Sequence, residues 1–307
     1  KQFCLLYGQP IYAGSVDGQL MFMTLSLIDL LPELVELFID GTFSITPFKT
    51  RQLLVVLAEL YGRPRPIFYA LMKSQTIVHY EMIFKFLGND LLGDKRVVMS
   101  VMTDFEQAIR AAVRNIWKEA ELLGCNFHLS QAMVKNAKQF PGLAGGKLIE
   151  GTIHRKILTM FTRISMLPLS RIDAGYAQLL DFIQDQGDDD FDPKDFNDFI
   201  EYVHSTWFVR FLPSTWCVSG HDRRTNNNVE GHNRKIKGVI NRNPSPWDFL
   251  QGIRDLMMDD CVKLERDKRI NAQPPPDLSR LTKRLDEALQ QLNEDKINEI
   301  EFLEIMA

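Results

Sequence analysis

Three stretches of this chain carry residues whose types and spacing could do chemistry: Phe38-Ile-Asp-Gly-Thr-Phe43, Met102-Thr-Asp-Phe-Glu106 and Arg224-Thr-Asn-Asn-Asn-Val-Glu-Gly-His-Asn233. Each offers one carboxylate in a setting that a strand or helix can aim. Two aspartates on neighbouring strands and a glutamate on a helix, Asp40, Asp104 and Glu230, can hold two divalent ions about 3.5–4 Å apart, which activate a water or 3′-hydroxyl and stabilise the leaving oxygen. Oxygen ligands with open positions suit Mg2+ or Mn2+. The chemistry indicated is metal-dependent phosphoryl transfer on a nucleic acid.

Each acid also has a plainer role, and with 40 acidic residues in the chain the context must decide. Asp40 follows the apolar run Leu37-Phe-Ile39, where an ionised carboxylate is costly unless paired or metal-bound; equally, Asp-Gly is a turn signal that would end the strand at Gly41. Asp104 stands where a strand hands over to a helix, so it is either the helix N-cap or a ligand at a strand's carboxyl end. Glu106 reads as a first-turn helix acid. Glu230, behind the amides Asn226-Asn-Asn228, is either part of a polar helix start or the third ligand.

The elements that must position these acids follow from hydrophobic period and turn chemistry. Segments 34–43, 51–60 and 66–72 are apolar runs at short spacing and predict adjacent strands. Segment 76–87 has helical spacing, 96–102 predicts a strand ending at Thr103-Asp104, and 105–117 a helix. Segment 122–128 predicts a short strand and 130–140 a helix, so that residues 1–144 form the first part of a mixed α/β core. From 145 to 222 the pattern turns helical, with an acidic loop at Gln186-Gly-Asp-Asp-Asp190, and predicts an all-α insertion. Residues 223–270 return to the core through helices at 226–240 and 247–269. Pro274-Pro-Pro276 is a stiff linker, and the tail 271–307 carries Leu278, Leu281, Leu285, Ala288 and Leu292, too short a repeat for a coiled coil by itself.

Composition bounds the partners. At 307 residues, 45% hydrophobic and 25% charged, the chain is a globular protein of more than one compact part. A net charge of −4 argues against a protein that coats nucleic acid, though not against local basic patches. Cys4, Cys125, Cys217 and Cys261 are few and irregular, which fits a reducing, intracellular compartment. The most apolar early segment, 20–39, contains Asp29, Pro32, Glu33 and Glu36, so no membrane span is expected. The chain starts at Lys1 without Met, as a fragment of a longer protein would.

Taken in order, Asp40-Gly-Thr-Phe43, Gly62-Arg-Pro with Tyr69-Ala-Leu-Met72, Thr103-Asp-Phe-Glu106, Cys125-Asn-Phe-His128-Leu-Ser-Gln-Ala132 and Arg224-Thr-Asn-Asn227 leading to Glu230 resemble the transposase domain of Mutator-like elements (MULE), over residues 30 to 250. The resemblance implies an RNase H-like α/β fold interrupted by an α-helical insertion before the last catalytic helix. It implies a DDE transposase in which Asp40, Asp104 and Glu230 bind Mg2+ or Mn2+, cut DNA at terminal inverted repeats and join 3′ ends to target DNA. A homo-oligomer and a nuclear location are expected with it. One departure is visible: Gly231 runs directly into His232, where many relatives carry an aromatic residue between. The alternative is a domesticated descendant that acts as a DNA-binding or chromatin regulator without transposition; an RNase H-like nuclease without strand transfer is a third reading.

Cys125 and His128 match the family's C-x-x-H motif. They read as two zinc ligands, with Cys217 and His221 the candidates to complete four, or as a buried thiol beside a histidine that orients its neighbours. Arg223, Arg224, Asn227, Arg234, Lys235, Lys237 and Arg242 gather around the third motif, and Arg234 and Lys237 can share a helix face with Glu230 and Asn233. They are the expected DNA-binding residues, positioning a strand by its phosphates; a solvated face is the alternative. Lys135 and Lys138 form a weaker second patch. Trp207, Phe208, Phe211 and Trp216 read as core of the insertion, or as stacking platforms for a flipped base.

Overall fold

The computed structural model describes residues 5–6, 9–10, 12–23, 25–186, 191–221, 227–270 and 280–307, with side chains over 14–23, 27–186, 191–221, 229–270 and 280–307. Arg223, Arg224, the acidic residues 188–190 and the proline linker therefore lie outside the described residues, as does the side chain of Asn227. The chain divides into two compact units, Lys1–Leu123 with Asn226–Pro275 and Gly124–Thr225 with Pro276–Ala307. The sequence places its breaks at 144/145 and 222/223. The division between units falls at Leu123/Gly124, and the C-terminal tail groups with the helical segment.

The first unit is built on a sheet. After a short pair, β1 (Leu5–Leu6) with β2 (Gln9–Pro10), come β3 (Tyr12–Val16) and β4 (Gln19–Met23). Their hairpin turns on Asp17 and Gly18, both at positive φ (47° and 72°), which suits a two-residue turn between twisted strands. Helix α1 (Leu25–Asp29) leads to β5 (Leu34–Thr42), β6 (Gln52–Leu60) and β7 (Arg63–Met72). Helix α2 (Ile77–Lys85), β8 (Val97–Thr103), α3 (Gln107–Ile116) and β9 (Glu121–Gly124) follow. The seven strands run β3-β4-β7-β6-β5-β8-β9, with β5 antiparallel to β6 and parallel to β8. This mixed α/β sheet, with three antiparallel strands continued by a parallel strand reached through a helix, is RNase H-like.

Period-two alternation sorts the sheet's faces. Val35, Leu37 and Ile39 of β5 join Tyr80, Ile83 and Phe84 of α2 and Ile109 and Val113 of α3 in one buried cluster. Phe38, Asp40 and Thr42 consequently point to the other face. There α8 (Asn227–Val239) lies on β5 and β6, and α9 (Pro246–Arg269) on β7. Ser245 caps α9 by accepting the Asp248 amide at 3.2 Å.

The second unit is helical: α4 (Asn126–Ala137), α5 (Ile153–Arg163), α6 (Ile172–Gln184), α7 (Asn197–His204), α10 (Arg280–Asn293) and α11 (Glu299–Met306). The sequence carries a strand through His128; the structure ends β9 at Gly124 and starts α4 at Asn126, because Leu129, Met133 and Ala137 recur at helical spacing and bury one face. Tail helix α11 packs on α5 and α6, with Gln178 Nε2 donating to Glu299 Oε2 at 2.6 Å and Lys156 Nζ to Glu304 Oε1 at 2.6 Å. Leu285, Ala288 and Leu292 are buried within this unit. Trp207 and Trp216 are core: the Trp216 indole donates to the carbonyl oxygens of Trp207 (2.7 Å) and Phe211 (3.0 Å).

Candidate active site

Asp40 does not end its strand. It pairs with Val55, and Gly41 and Thr42 continue the ladder opposite Leu54 and Leu53, so the strand expected over 34–43 runs through and the alternative Asp-Gly turn is absent. Gly41 leaves room for the Gln52 side chain: a Cβ there would sit 1.8 Å from Gln52 Nε2 and the amide would have to move. The carboxylate is therefore held inside a central strand, 8% exposed. Burial pushes its carboxyl up to about 7; the Gly41 N–H opposes the rise, the Asp104 charge adds to it, and Lys237 and the Asn233 amide oppose it further.

Asp104 follows β8 by one residue. The parallel register pairs Leu37 with Val101 and Phe38 with Met102, and two further steps bring Asp40 and Asp104 level. Asp104 does not occupy the cap of α3, which is Glu106; its Oδ1 accepts the Glu106 amide at 3.0 Å in a two-residue turn. Its side chain is held by local backbone at the carboxyl end of β8.

The link to the third motif is Asn233, whose Nδ2 donates to Asp40 Oδ2 at 2.7 Å across 193 residues of sequence. Glu230 lies three residues earlier on α8, one turn away on the same helix face. The carboxylate oxygens of Asp40, Asp104 and Glu230 are not all drawn within 4.8 Å of one another. Three carboxylates brought together repel one another, and a divalent cation would offset that repulsion. The donor chemistry fits one: three carboxylates, and in addition Asn233 Oδ1, which is buried without a hydrogen-bond partner among the described residues.

Two neighbours went unmarked as site residues in the sequence. Glu106 is half-buried; burial, then the Asp104 charge, raises its carboxyl above the ordinary range, and Tyr80 Oη lies 3.1 Å from its Oε1. Arg110 is buried at 2% exposure, with its guanidinium 5.4 Å from the Phe105 ring centroid; burial and Arg114 pull it down to about 10, while Asp104 holds it up. Helical spacing from Asp104 could have found Glu106 and Arg110 together, since they lie four apart.

The basic residues separate. Arg234 and Lys237 are exposed on α8, and Lys237 lies close enough to Asp40 to lower its carboxyl. Lys235 is committed elsewhere: its Nζ contacts Asp260 Oδ1 at 2.6 Å and Asp259 Oδ2 at 2.8 Å, tying α8 to α9. His232 faces inward, 2.7 Å from the Tyr69 hydroxyl, and fixes α8 against β7.

Cys125 and His128 open α4 in the second unit. Cys217 and His221 do not complete a four-ligand zinc site with them: no three of these residues bring ligand atoms within 4.8 Å of one another, and the Cys217 thiol instead meets the Leu167 carbonyl at 3.4 Å.

The fold is RNase H-like, with Asp40 and Asp104 level on neighbouring parallel strands. Residues 36–132 match the family model of the MULE transposase domain, a span that contains Asp40, Asp104, Cys125 and His128 and stops short of Glu230. Among solved structures, the Drosophila P element transposase strand transfer complex is similar at 10% identity and a TM-score of 0.40, covering 79% of this chain and 82% of that one. No curated protein matches. Among the described residues no helix is long and apolar enough to cross a membrane.

Proposed function

We propose that the chain is the catalytic domain of a DDE transposase, cutting DNA at the terminal inverted repeats of a transposon and joining 3′ ends to target DNA. The observation that carries this reading is the Asn233–Asp40 hydrogen bond, which sets the helix bearing Glu230 against the strand bearing Asp40, beside a second aspartate on the parallel strand. Asp40, Asp104 and Glu230 would hold Mg2+ or Mn2+. When bound, such ions supply a nucleophile at neutral pH and stabilise the leaving oxygen.

The chain's own residues do the rest. Asn233 orients the Asp40 carboxylate, the Glu106 amide fixes Asp104, and Arg234 and Lys237 offer phosphate contacts on the solvent side of the same helix. Arg110 keeps a buried positive charge within electrostatic reach of Asp104.

The test is incubation of the full-length protein with a labelled element end and Mg2+ or Mn2+, comparing wild type with Asp104→Ala. Nicking by wild type and loss of about a thousandfold in the variant, roughly 4 kcal/mol of barrier, is expected. Equal products from both would overturn the mechanism, and specific binding without cleavage by wild type would assign the protein to the regulators instead.

A further inference from the structure

The loop that connects β5 to β6 starts directly after the strand that carries Asp40, and it presents an aromatic side chain that folding does not use. Phe48 is 88% exposed and Phe43 54% exposed, whereas Ile45 and Thr46 between them are 1% and 6% exposed. The loop is thus anchored, not loose. Thr46 Oγ1 donates to the Phe43 carbonyl (3.2 Å) and to the Thr50 carbonyl (3.4 Å), and Thr50 Oγ1 to the Pro47 carbonyl (2.5 Å).

The tip is a hydrogen-bonded turn. The Thr50 amide donates to the Pro47 carbonyl at 3.1 Å, and Lys49 sits at φ 68°, a left-handed position that costs a non-glycine residue. Phe48 occupies the corner of that turn, with Lys49 Nζ 5.8 Å from its ring centroid. A large apolar ring carried on a hydrogen-bonded turn costs little backbone ordering when something covers it, which favours binding.

The surroundings specify what would cover it. Lys49, Arg51 and Lys73 are exposed, and no carboxylate pairs with them among the described residues. Arg51 is tied to the end of β7 by its amide, which donates to the Met72 carbonyl at 2.8 Å. All three cations therefore lie at the sheet edge where β5 ends and where its parallel neighbour β8 delivers Asp104. An exposed aromatic ring with Lys49 Nζ 5.8 Å from its centroid matches a nucleobase beside its phosphate, whereas a protein-binding patch would be depleted in lysine.

Resting on the proposed function, we infer that Phe48 is a stacking platform for an unpaired DNA base beside the scissile phosphate, with Lys49 and Arg51 of the same loop holding the adjacent backbone. Stacking on a preset ring would keep a frayed or overhanging nucleotide out of the duplex while the strand is cut or joined.

The probe is a DNA duplex with a short single-stranded overhang carrying 2-aminopurine, compared with a blunt duplex of the same length. Binding of both by full-length wild type, Phe48→Ala and Phe48→Tyr is measured by anisotropy and by the base's fluorescence. Expected are a loss of about fivefold or more in overhang affinity for Phe48→Ala, recovery in Phe48→Tyr, quenching that depends on the aromatic ring, and unchanged affinity for the blunt duplex. Equal overhang binding by Phe48→Ala and wild type would overturn the stacking role while leaving the transposase reading intact. Failure of the wild type to bind either DNA would overturn both. A change in oligomeric mass in Phe48→Ala, with DNA affinity unchanged, would assign the ring to self-association and also overturn the proposal.

Discussion

Asn233 and Asp40 are joined by a 2.7 Å hydrogen bond between the amide Nδ2 and carboxylate Oδ2, both groups nearly excluded from water. One contact thereby couples the third motif to the first. An ionised buried carboxylate needs such a donor, because its lost hydration is otherwise uncompensated.

Replacing Asn233 by Ala removes that donor. Unfolding in urea is expected to show a loss of about 1–3 kcal/mol, the cost of leaving a buried polar group unmade. Nicking activity should fall further than stability accounts for, because Glu230 on the same helix loses its register against β5. Asn233→Asp, which adds a like charge beside Asp40, should be worse than Ala on both measures.

Lys235 and Lys237 are neighbours in sequence and opposite in role. Lys237→Ala should weaken binding to any duplex alike and reduce the slope of log affinity against log salt by about one, with unchanged stability. Lys235→Ala should leave the salt slope alone and destabilise the fold, because Asp260 is 6% exposed and loses its counter-charge. Salt titrations by anisotropy, with urea melts of the same preparations, separate the two.

Sequence reasoning gave the mixed α/β order of the elements because it is written locally, in apolar runs, turn residues and hydrophobic spacing. It misjudged what pairing decides. Asp40-Gly41 looks like a turn, yet the ladder to β6 carries the strand onward, and the space beside the glycine is filled by Gln52 from another strand. Lys235 looks like its neighbours Arg234 and Lys237 until α9 brings Asp259 and Asp260 against it. The β3–β4 hairpin was legible in Asp17-Gly18 and passed over.

Asp195 gives the helical unit a pH dependence. Burial raises its carboxyl, but hydrogen bonds from Lys147 and from His154, the latter at 2.9 Å, outweigh that and bring it below the ordinary range. A carboxylate depressed in the folded state stabilises above its unfolded pKa, about 3.9, and loses that contribution as pH falls through the lower folded value. Thermal melts should show wild type more stable than Asp195→Asn at pH 7, with the gap closing below about pH 4. A gap that stayed constant down to pH 3 would mean the contact carries no titrating charge.

Whether the three acids form one metal centre is most directly read by Mn2+ titration of the purified protein, followed by the paramagnetic resonance of the free ion. Wild type is compared with Asp40→Asn, Asp104→Asn and Glu230→Gln, each close to isosteric. Saturable binding is expected in wild type, with a loss of about tenfold or more in affinity in every single variant, Glu230→Gln included, since each removes one anionic ligand. Three variants that bind Mn2+ as wild type does would contradict a single metal centre.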